Sequence, residues 1–275
     1  MEDRDDGRGD GVVTFELDGA RLRVRATGRG AAAVVAASLP QGSRAAAGGS
    51  VHEEFSVALD GRRPPHRLYR GAELLAECTG RDELVRELAS RLDFAVAEHA
   101  TERVYVHAGV VALGGQAIVI PGRSLSGKTT LVAALLQAGA TFFSDEFAVI
   151  DAEGRVWPHA RPLSIRPQGT TGPGTPITIE ELGASPGSVS VPIGIVVATR
   201  YVPGATWEPM PLDRSTGLLR VLDNAIVAQT KPHLALSVLA RAIGTARVLG
   251  GVRGEADDTA GRLTALVGQA TGLPA

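Results

Sequence analysis

The chain has little that would tie it to an oxidising or membrane environment. Its 275 residues include one cysteine, Cys78, so an internal disulfide is excluded. No N-terminal stretch joins basic residues to an apolar run of signal-peptide or membrane length. We therefore expect a cytoplasmic protein without a membrane partner.

An excess of positive charge is also missing. The formal net charge is −2 at pH 7, which provides no basic field to attract a polyanionic backbone. Nucleic acid is therefore not an expected partner. A hydrophobic content of 44% is enough for one large core or two unequal ones.

The N-terminal part reads as a tail followed by a small domain. Residues 1–11 are mostly charged residues and glycine, which predicts a disordered tail. Residues 12–100 are predicted to form a small α+β domain. Strand-like alternation over 12–24, around Asp18-Gly19, indicates a hairpin.

The same domain contains a second candidate hairpin and a helix. Residues 55–61, with Asp60-Gly61, resemble the first hairpin. Leucines at four-residue spacing over 82–98 predict an amphipathic helix. The alanine- and glycine-rich stretch 31–50 has no pattern that we can assign.

Residues 101–275 are predicted to form a nucleotide-binding domain. Two apolar strands, 104–113 and 117–120, are joined by a Gly-Gly turn, and a helix is predicted over 128–138. Short strands are predicted at 142–143 and 146–150, around an acidic pair, and an apolar strand is predicted at 193–198. Three helices are predicted at 213–222, 233–243 and 255–267.

A phosphate-binding loop lies between the second strand and the first of these helices. The residues Gly-Arg-Ser-Leu-Ser-Gly-Lys-Thr at 122–129 match the pattern of a glycine, four residues, then glycine, lysine and serine or threonine. Glycines let backbone N–H groups turn inward, and a helix N-terminus adds unpaired donors. The predicted nucleotide-binding residues are Gly122, Arg123, Ser124, Leu125, Ser126, Gly127, Lys128, Thr129 and Thr130.

Two residues of the loop have side chains suited to magnesium-bound ATP. Lys128 neutralises terminal phosphates, and Thr129 supplies a hydroxyl to Mg²⁺. The predicted ligands are therefore ATP and Mg²⁺.

Residues 104–150 contain three motifs in order: Val-His-Ala at 106–108, the loop at 122–130, and Phe-Ser-Asp-Glu at 143–146. Through these motifs they resemble the catalytic domain of HPr kinase/phosphorylase and related bacterial serine kinases. His107 stands 21 residues before Lys128, and Asp145 stands 17 after it, as in that family. The C-terminal third resembles the family loosely, and the first 99 residues do not.

The resemblance implies an α/β fold with a P-loop kinase core of the HPr kinase and phosphoenolpyruvate carboxykinase type, built on a mixed sheet. The residues themselves also favour a mixed sheet, because hairpin-like strands flank the loop and the acidic pair. A parallel sheet would need a helical crossover between them.

The resemblance also implies roles for the acidic pair. Asp145 is implied to be the base toward the acceptor hydroxyl and Glu146 a magnesium ligand, with Thr129, and the reverse order stays open. Neighbouring residues of a strand point to opposite faces. Both carboxylates therefore reach the loop only if the strand ends or twists sharply at the pair.

His107 is implied to lie beside Asp145 and, with Lys128, to complete the catalytic set. A neighbouring carboxylate would raise the pKa of its imidazole. The alternative is a histidine packed in the core.

Arg161 and Arg166 are candidates for binding a phosphate or an acidic substrate. The family's further metal-binding glutamate has no clear match, and Ser164 stands near its place. This argues against a second metal and a reverse, phosphorylase reaction. Leu125 replaces the family's usual glycine, which suggests a substrate of its own.

The expected function is ATP-dependent phosphorylation of a hydroxyl, most simply a serine of a protein or peptide. Two alternatives stay open: a kinase for a small molecule, and a nucleotide-responsive binding module without transfer. The residues do not decide whether the chain forms a homo-oligomer.

Overall fold

The computed structural model describes residues 10–59, 64–122, 126–161, 163–165 and 175–271. The chain is a mixed α/β protein that divides into two compact units between Glu102 and Arg103, each with a mixed sheet. In the part of the chain so described, no helix is both long and apolar enough to cross a membrane.

The first unit is a six-stranded sheet with two helices. Its elements are β1 (Gly11–Leu17), β2 (Ala20–Thr27), α1 (Ala31–Ser38), β3 (Arg44–Ala45), β4 (Glu53–Ala58), β5 (His66–Arg70), β6 (Glu73–Cys78) and α2 (Arg81–His99). The strand order is β3-β1-β2-β4-β5-β6, and only β2 and β4 pair in parallel.

Local sequence patterns predicted the first hairpin and the long helix of this unit. The hairpin predicted at Asp18-Gly19 is confirmed as β1 and β2, and both turn residues have positive φ. The helix predicted over 82–98 is confirmed as α2, whose leucines face the core. The unassigned stretch 31–50 contains α1. Residues 1–9 and the Asp60-Gly61 turn lie outside the described residues, and Gly11, expected in the tail, begins β1.

The second unit contains an eight-stranded sheet between two pairs of helices. Its elements are β7 (Arg103–Leu113), β8 (Gln116–Pro121), α3 (Lys128–Gln137), β9 (Thr141–Ser144), β10 (Phe147–Asp151), β11 (Arg155–Trp157), β12 (Leu163–Ile165), β13 (Thr175–Ile177), β14 (Val191–Tyr201), β15 (Met210–Pro211), α4 (Arg214–Leu222), α5 (Pro232–Ala242), β16 (Arg247–Arg253) and α6 (Ala256–Thr271).

The sheet runs β11-β10-β7-β8-β14-β16-β15, with β9 also on β7, while β12 and β13 form a separate ribbon. Strands β8, β14 and β16 are mutually parallel, and β7, β10 and β15 pair antiparallel to their neighbours. Helices α3 and α6 pack against one core and α4 and α5 against the other. The sheet is therefore mixed, as predicted.

The hairpin of β7 and β8 is confirmed at the predicted turn. Gly114 and Gly115 have φ of 59° and 75°, which a two-residue turn of this kind requires at both positions. The hairpin places His107 and the loop after Pro121 at the same end of the sheet.

Candidate functional site

The phosphate loop leaves the C-terminal end of β8 and enters α3. Because β8 is parallel to β14, the loop lies where parallel strands end, an edge at which α/β proteins commonly bind ligands. The Gly122 N–H donates to the carbonyl oxygen of His107 at 3.1 Å, which joins the start of the loop to β7. Gly127 has φ 79° and ψ 18° and directly precedes α3. Arg123, Ser124 and Leu125 lie outside the described residues.

Lys128 is the first residue of α3, and its side chain is almost fully enclosed. It is 8% exposed, and this burial lowers the pKa of its ammonium group, whereas the charges of Asp145 and Glu146 oppose the decrease. A cation held out of water beside two carboxylates is well placed to contact an anionic ligand. Thr130, in the same helical turn, is exposed.

Thr129 is bonded to the acidic pair. Its hydroxyl Oγ1 donates to Oδ2 of Asp145 at 2.7 Å. The contact joins the first turn of α3 to the segment between β9 and β10. Thr129, predicted as a magnesium ligand, is thus a direct neighbour of Asp145, for which the sequence left the roles of base and magnesium ligand open.

The acidic pair occupies an interruption in a strand that runs beside β7. Strand β9 pairs with β7 through Ser144 opposite Val110, and β10 pairs through Phe147 opposite His107. Between these pairings, Asp145 and Glu146 leave the strand conformation. The strand thus ends at the pair, as the alternation argument requires, and the charges of both carboxylates act on the Lys128 ammonium.

Ser144 shapes this interruption. Its side chain is 1% exposed, and Oγ accepts from the backbone N–H groups of Glu146 at 3.2 Å and Phe147 at 3.1 Å. The Glu146 carbonyl accepts from the N–H of Ala108 on β7 at 3.1 Å. These bonds fix the backbone from which both carboxylates project. We call residues 144–147 the acidic turn.

His107 lies on β7 beside the acidic turn. Its imidazole is half-buried, with its ring centroid 5.0 Å from that of Phe147. Its backbone N–H donates to the carbonyl of Asn224 at 2.8 Å. The His107 ring is therefore packed against Phe147, and its imidazole is also influenced by the charge of Lys128.

The expected direction of the His107 pKa shift is wrong. Burial is the largest cause and lowers the pKa, the positive charge of Lys128 lowers it further, and a hydrogen bond with the Glu146 backbone acts in the opposite direction. The net result is a lowered pKa. The sequence argument assumed a dominant carboxylate and could not include the buried lysine.

The candidate substrate arginines are placed only in part. Arg161 is half-buried in the segment between β11 and β12, and Arg166 lies outside the described residues. Two residues before Arg161, the His159 N–H donates to the carbonyl of Phe143 at 2.8 Å. The His159 ring meets that of Phe147 edge-on at 6.1 Å. The segment leading to Arg161 is therefore anchored beside the acidic turn.

Arg253 contacts the loop and was not identified from the sequence. It is the last residue of β16 and is 2% exposed. Its Nη2 donates to the carbonyl oxygens of Ser126 at 3.2 Å and Gly127 at 2.9 Å. The one available signal was its place between an apolar stretch and a helix, and the glycines at 250–251 obscure that stretch.

The donor set suits a magnesium ion. The Thr129 hydroxyl and the carboxylates of Asp145 and Glu146 are oxygen ligands, which Mg²⁺ prefers. Thr129 and Asp145 already lie within hydrogen-bond distance of each other, beside a buried lysine. The site therefore combines groups that can bind a phosphate chain, a divalent cation and a proton.

Neither the models of known protein families nor the curated proteins include a match to this chain. The function is accordingly argued from the site itself.

Proposed function

We propose that this chain is an ATP-dependent kinase that transfers the γ-phosphoryl group of magnesium-bound ATP to a hydroxyl, specifically a serine of a protein or peptide. The observation that carries the proposal is the 2.7 Å bond between Thr129 Oγ1 and Asp145 Oδ2. It joins the phosphate loop to an acidic turn whose two carboxylates can supply both a magnesium ligand and a base, and a site that only binds magnesium-nucleotide needs no base.

The loop's part in the reaction is to hold the triphosphate. The Lys128 ammonium offsets charge on the terminal phosphates, and backbone N–H groups at the start of α3 add donors. Phosphoryl transfer relies mainly on positioning and on neutralising charge. Burial of Lys128 serves both, because the cation has little water to shed when the phosphate chain arrives.

Thr129 and the acidic turn would hold the magnesium ion. A magnesium ion held by these residues would offset the negative charge of the phosphate chain. The Thr129 hydroxyl proton is directed to Asp145, so a lone pair of Oγ1 stays available to a cation. This contact supports Asp145 as a magnesium ligand, which is the reverse of the order that the resemblance implies.

The acidic turn would also accept the proton of the attacking hydroxyl. A base must lie within hydrogen-bond reach of the acceptor, and Asp145 and Glu146 are the carboxylates beside Lys128. In the proposed reaction, the hydroxyl oxygen bonds to the γ-phosphorus, the bond to the β–γ bridging oxygen breaks, and ADP leaves. The hydroxyl proton passes to a carboxylate of the turn.

His107 supports the turn in its neutral form. Because its pKa is lowered, the imidazole is uncharged near neutral pH and adds no second cation beside Lys128. Its ring packs against Phe147 of the acidic turn and so helps to hold the turn on β7. His107 is thus proposed as a positioning residue.

The acceptor class is the part of the proposal that a transfer experiment decides. The intact chain is incubated with γ-labelled ATP and magnesium, with either a peptide and protein pool or a metabolite pool. Label should appear on serine in the first pool. It should be strongly reduced with Asp145→Asn and retained with Asp223→Asn, which changes an exposed aspartate after α4.

Three outcomes would contradict this proposal in different ways. Label in the metabolite pool would make the chain a small-molecule kinase. Nucleotide binding without labelling of either pool would make it a binding module. Equal labelling by Asp145→Asn and the unaltered chain would remove Asp145 from the reaction.

A further inference from the structure

The phosphate loop is bonded to a buried arginine from a distant strand. Arg253 ends β16, and its guanidinium reaches back to the last two residues before α3, Ser126 and Gly127. The residue is 2% exposed, so its charge is held almost entirely out of water. Burial of this kind is costly unless the guanidinium has good acceptors.

Three backbone carbonyls supply those acceptors. Nη2 donates to Ser126 and Gly127, and Nη1 approaches the Gly254 carbonyl at 3.4 Å. The guanidinium also faces the ring of Tyr201, with its carbon 5.5 Å from the ring centroid. Burial lowers the pKa of Arg253, against the influence of Tyr201 and Glu255.

The direction of these bonds matters because a trans peptide points its C=O and N–H to opposite sides. The Ser126 carbonyl belongs to the peptide that carries the Gly127 N–H. The Gly127 carbonyl belongs to the peptide that carries the Lys128 N–H. A donor fixed on both carbonyls therefore sets the direction of both N–H groups.

The Gly127 carbonyl has a second donor with the same effect. The Leu131 N–H of α3 approaches it at 3.2 Å, as in the first turn of a helix. The guanidinium adds a bond from outside the helix and extends the restraint to Ser126. A Cβ at Gly127 would lie 2.7 Å from Nη2 and would push the guanidinium away from the loop, and the φ of 79° also favours glycine.

We propose that Arg253 is a positioning residue for the phosphate loop, which holds the Ser126 and Gly127 carbonyls outward so that the Gly127 and Lys128 N–H groups face the phosphate chain. This inference rests on the proposed function, because it assumes that the loop binds phosphate. Arg253 acts through the backbone of the loop. Preorganised donors bind more tightly because their ordering cost is met during folding.

Lysine cannot replace arginine in this arrangement. Its ammonium is a single point at the end of a flexible stem, whereas the guanidinium presents several donors in a fixed plane. Arg253→Lys retains the charge and loses the fixed geometry, and Arg253→Leu loses both. Arg247→Leu is the matched control, since Arg247 is exposed at the other end of β16.

The test measures dissociation constants of magnesium-ATP and magnesium-tripolyphosphate by calorimetry, below the melting temperature of every variant. Arg253→Leu should weaken both ligands by the same factor, about tenfold or more, and Arg253→Lys by a smaller factor. Arg247→Leu should match the unaltered chain. An equal loss for tripolyphosphate assigns the effect to the phosphate-binding donors and not to the base or sugar.

Several results would overturn the inference. If folded Arg253→Leu or Arg253→Lys binds both ligands within about twofold of the unaltered chain, Arg253 does not position the loop. A loss for ATP without a loss for tripolyphosphate would also contradict it. If the unaltered chain binds neither ligand, the failure belongs to the proposed function.

A measurement on the unaltered chain covers the case in which both variants fail to fold. Tripolyphosphate with magnesium should shift the amide proton resonances of Gly127 and Lys128 downfield, because both N–H groups would donate to phosphate. Unchanged resonances on saturation would mean that these N–H groups do not face the ligand, which contradicts the inference.

Discussion

Lys128 and His107 are two basic groups that share one enclosed site. Burial lowers the pKa of both, and the charge of Lys128 lowers that of His107 further. The lysine remains the site's cation and the histidine remains neutral near neutral pH. A second imidazolium charge there would have to be accommodated beside the lysine.

Replacing His107 distinguishes a role in the transfer reaction from a role as a packed core residue. His107→Ala should lower single-turnover transfer by roughly 10²-fold, because the acidic turn loses the ring packed on Phe147, while nucleotide affinity changes little. The melting temperature is measured on the same sample, since removal of a ring packed on Phe147 also leaves a cavity. Normal transfer in a destabilised protein would make His107 a core residue.

The lowered pKa of His107 predicts how stability changes with pH. In the unfolded chain the imidazole binds a proton with a pKa of about 6.5, whereas the folded protein binds it less readily. As the pH falls through 6.5, the unfolded state gains protons first, so the folded state loses stability. Above this range both states are neutral, and the histidine has no effect on the pH dependence.

Urea unfolding of the unaltered chain and of His107→Gln, measured across this range, checks the sign. The free energy of unfolding should fall more steeply toward acid pH for the unaltered chain. If His107→Gln shows the steeper decrease, the imidazole is instead stabilised in its protonated form.

The two carboxylates of the acidic turn should differ in their effect on magnesium. Asp145→Asn should raise the magnesium concentration needed for transfer more than Glu146→Gln does, because Asp145 bonds to Thr129. Both variants should still bind nucleotide through Lys128. Titration of magnesium at saturating ATP checks this order, and equal requirements would mean that the pair shares the ion.

At the residue scale, the sequence predicted what a local motif encodes. The glycine and lysine pattern pointed to Lys128 and Thr129, and the family resemblance pointed to the acidic pair, which lies beside them in the structure. Arg253 could not be found in this way, since it bonds to a residue 126 positions earlier in the chain. The predicted direction of the His107 pKa shift was wrong for a related reason, because burial is a property of the folded protein.

At the scale of elements, the acidic turn depends on Ser144. Two N–H groups share its oxygen inside the protein, at 3.1 and 3.2 Å. Ser144→Ala should lower the free energy of unfolding by about 1–3 kcal/mol, because these donors are left without their acceptor. It should also slow transfer, because Asp145 and Glu146 lose their fixed backbone.

Chemical denaturation and single-turnover transfer measured on Ser144→Ala check both effects. Ser237→Ala is a control, because that serine bonds to a carbonyl on the exposed side of α5. A variant as stable and as fast as the unaltered chain would mean that the turn holds its shape without Ser144.

Elements with a local signal were predicted, and those that depend on distant partners were missed. The turns at Asp18-Gly19 and Gly114-Gly115 carry their own backbone preference, which is why both hairpins were found. Strand β16 was not predicted, because two glycines interrupt it and β14, which lies beside it in the sheet, is far away in sequence. Because β16 was not predicted, Arg253, which ends this strand, was not identified either.

At the scale of the whole molecule, the mixed sheet brings the site together. Antiparallel pairing of β7 with β8 and with β9 and β10 places His107, the loop and the acidic turn at one end of the sheet. Parallel pairing of β14 with β8 and β16 brings Arg253 to the same end. The sequence predicted the mixed α/β class from its hairpins, whereas the order of distant strands has no local signal.

Magnesium-ATP should stabilise the folded chain by an amount that grows with the logarithm of its concentration relative to its dissociation constant. A ligand that binds only the folded state, at about 100 times its dissociation constant, adds about 2.7 kcal/mol to the free energy of unfolding. Lys128→Ala should remove most of this gain without changing the fold, because alanine also favours the first turn of a helix.

The most direct test of the account is a calorimetric titration of ATP into the intact chain, with and without magnesium, beside the same titration of Lys128→Ala. We predict saturable binding of one nucleotide per chain that is strengthened by magnesium and is lost in Lys128→Ala, although that variant stays folded. Retention of nucleotide affinity by Lys128→Ala within a few-fold, or no binding by the unaltered chain, would contradict the assignment of the phosphate loop.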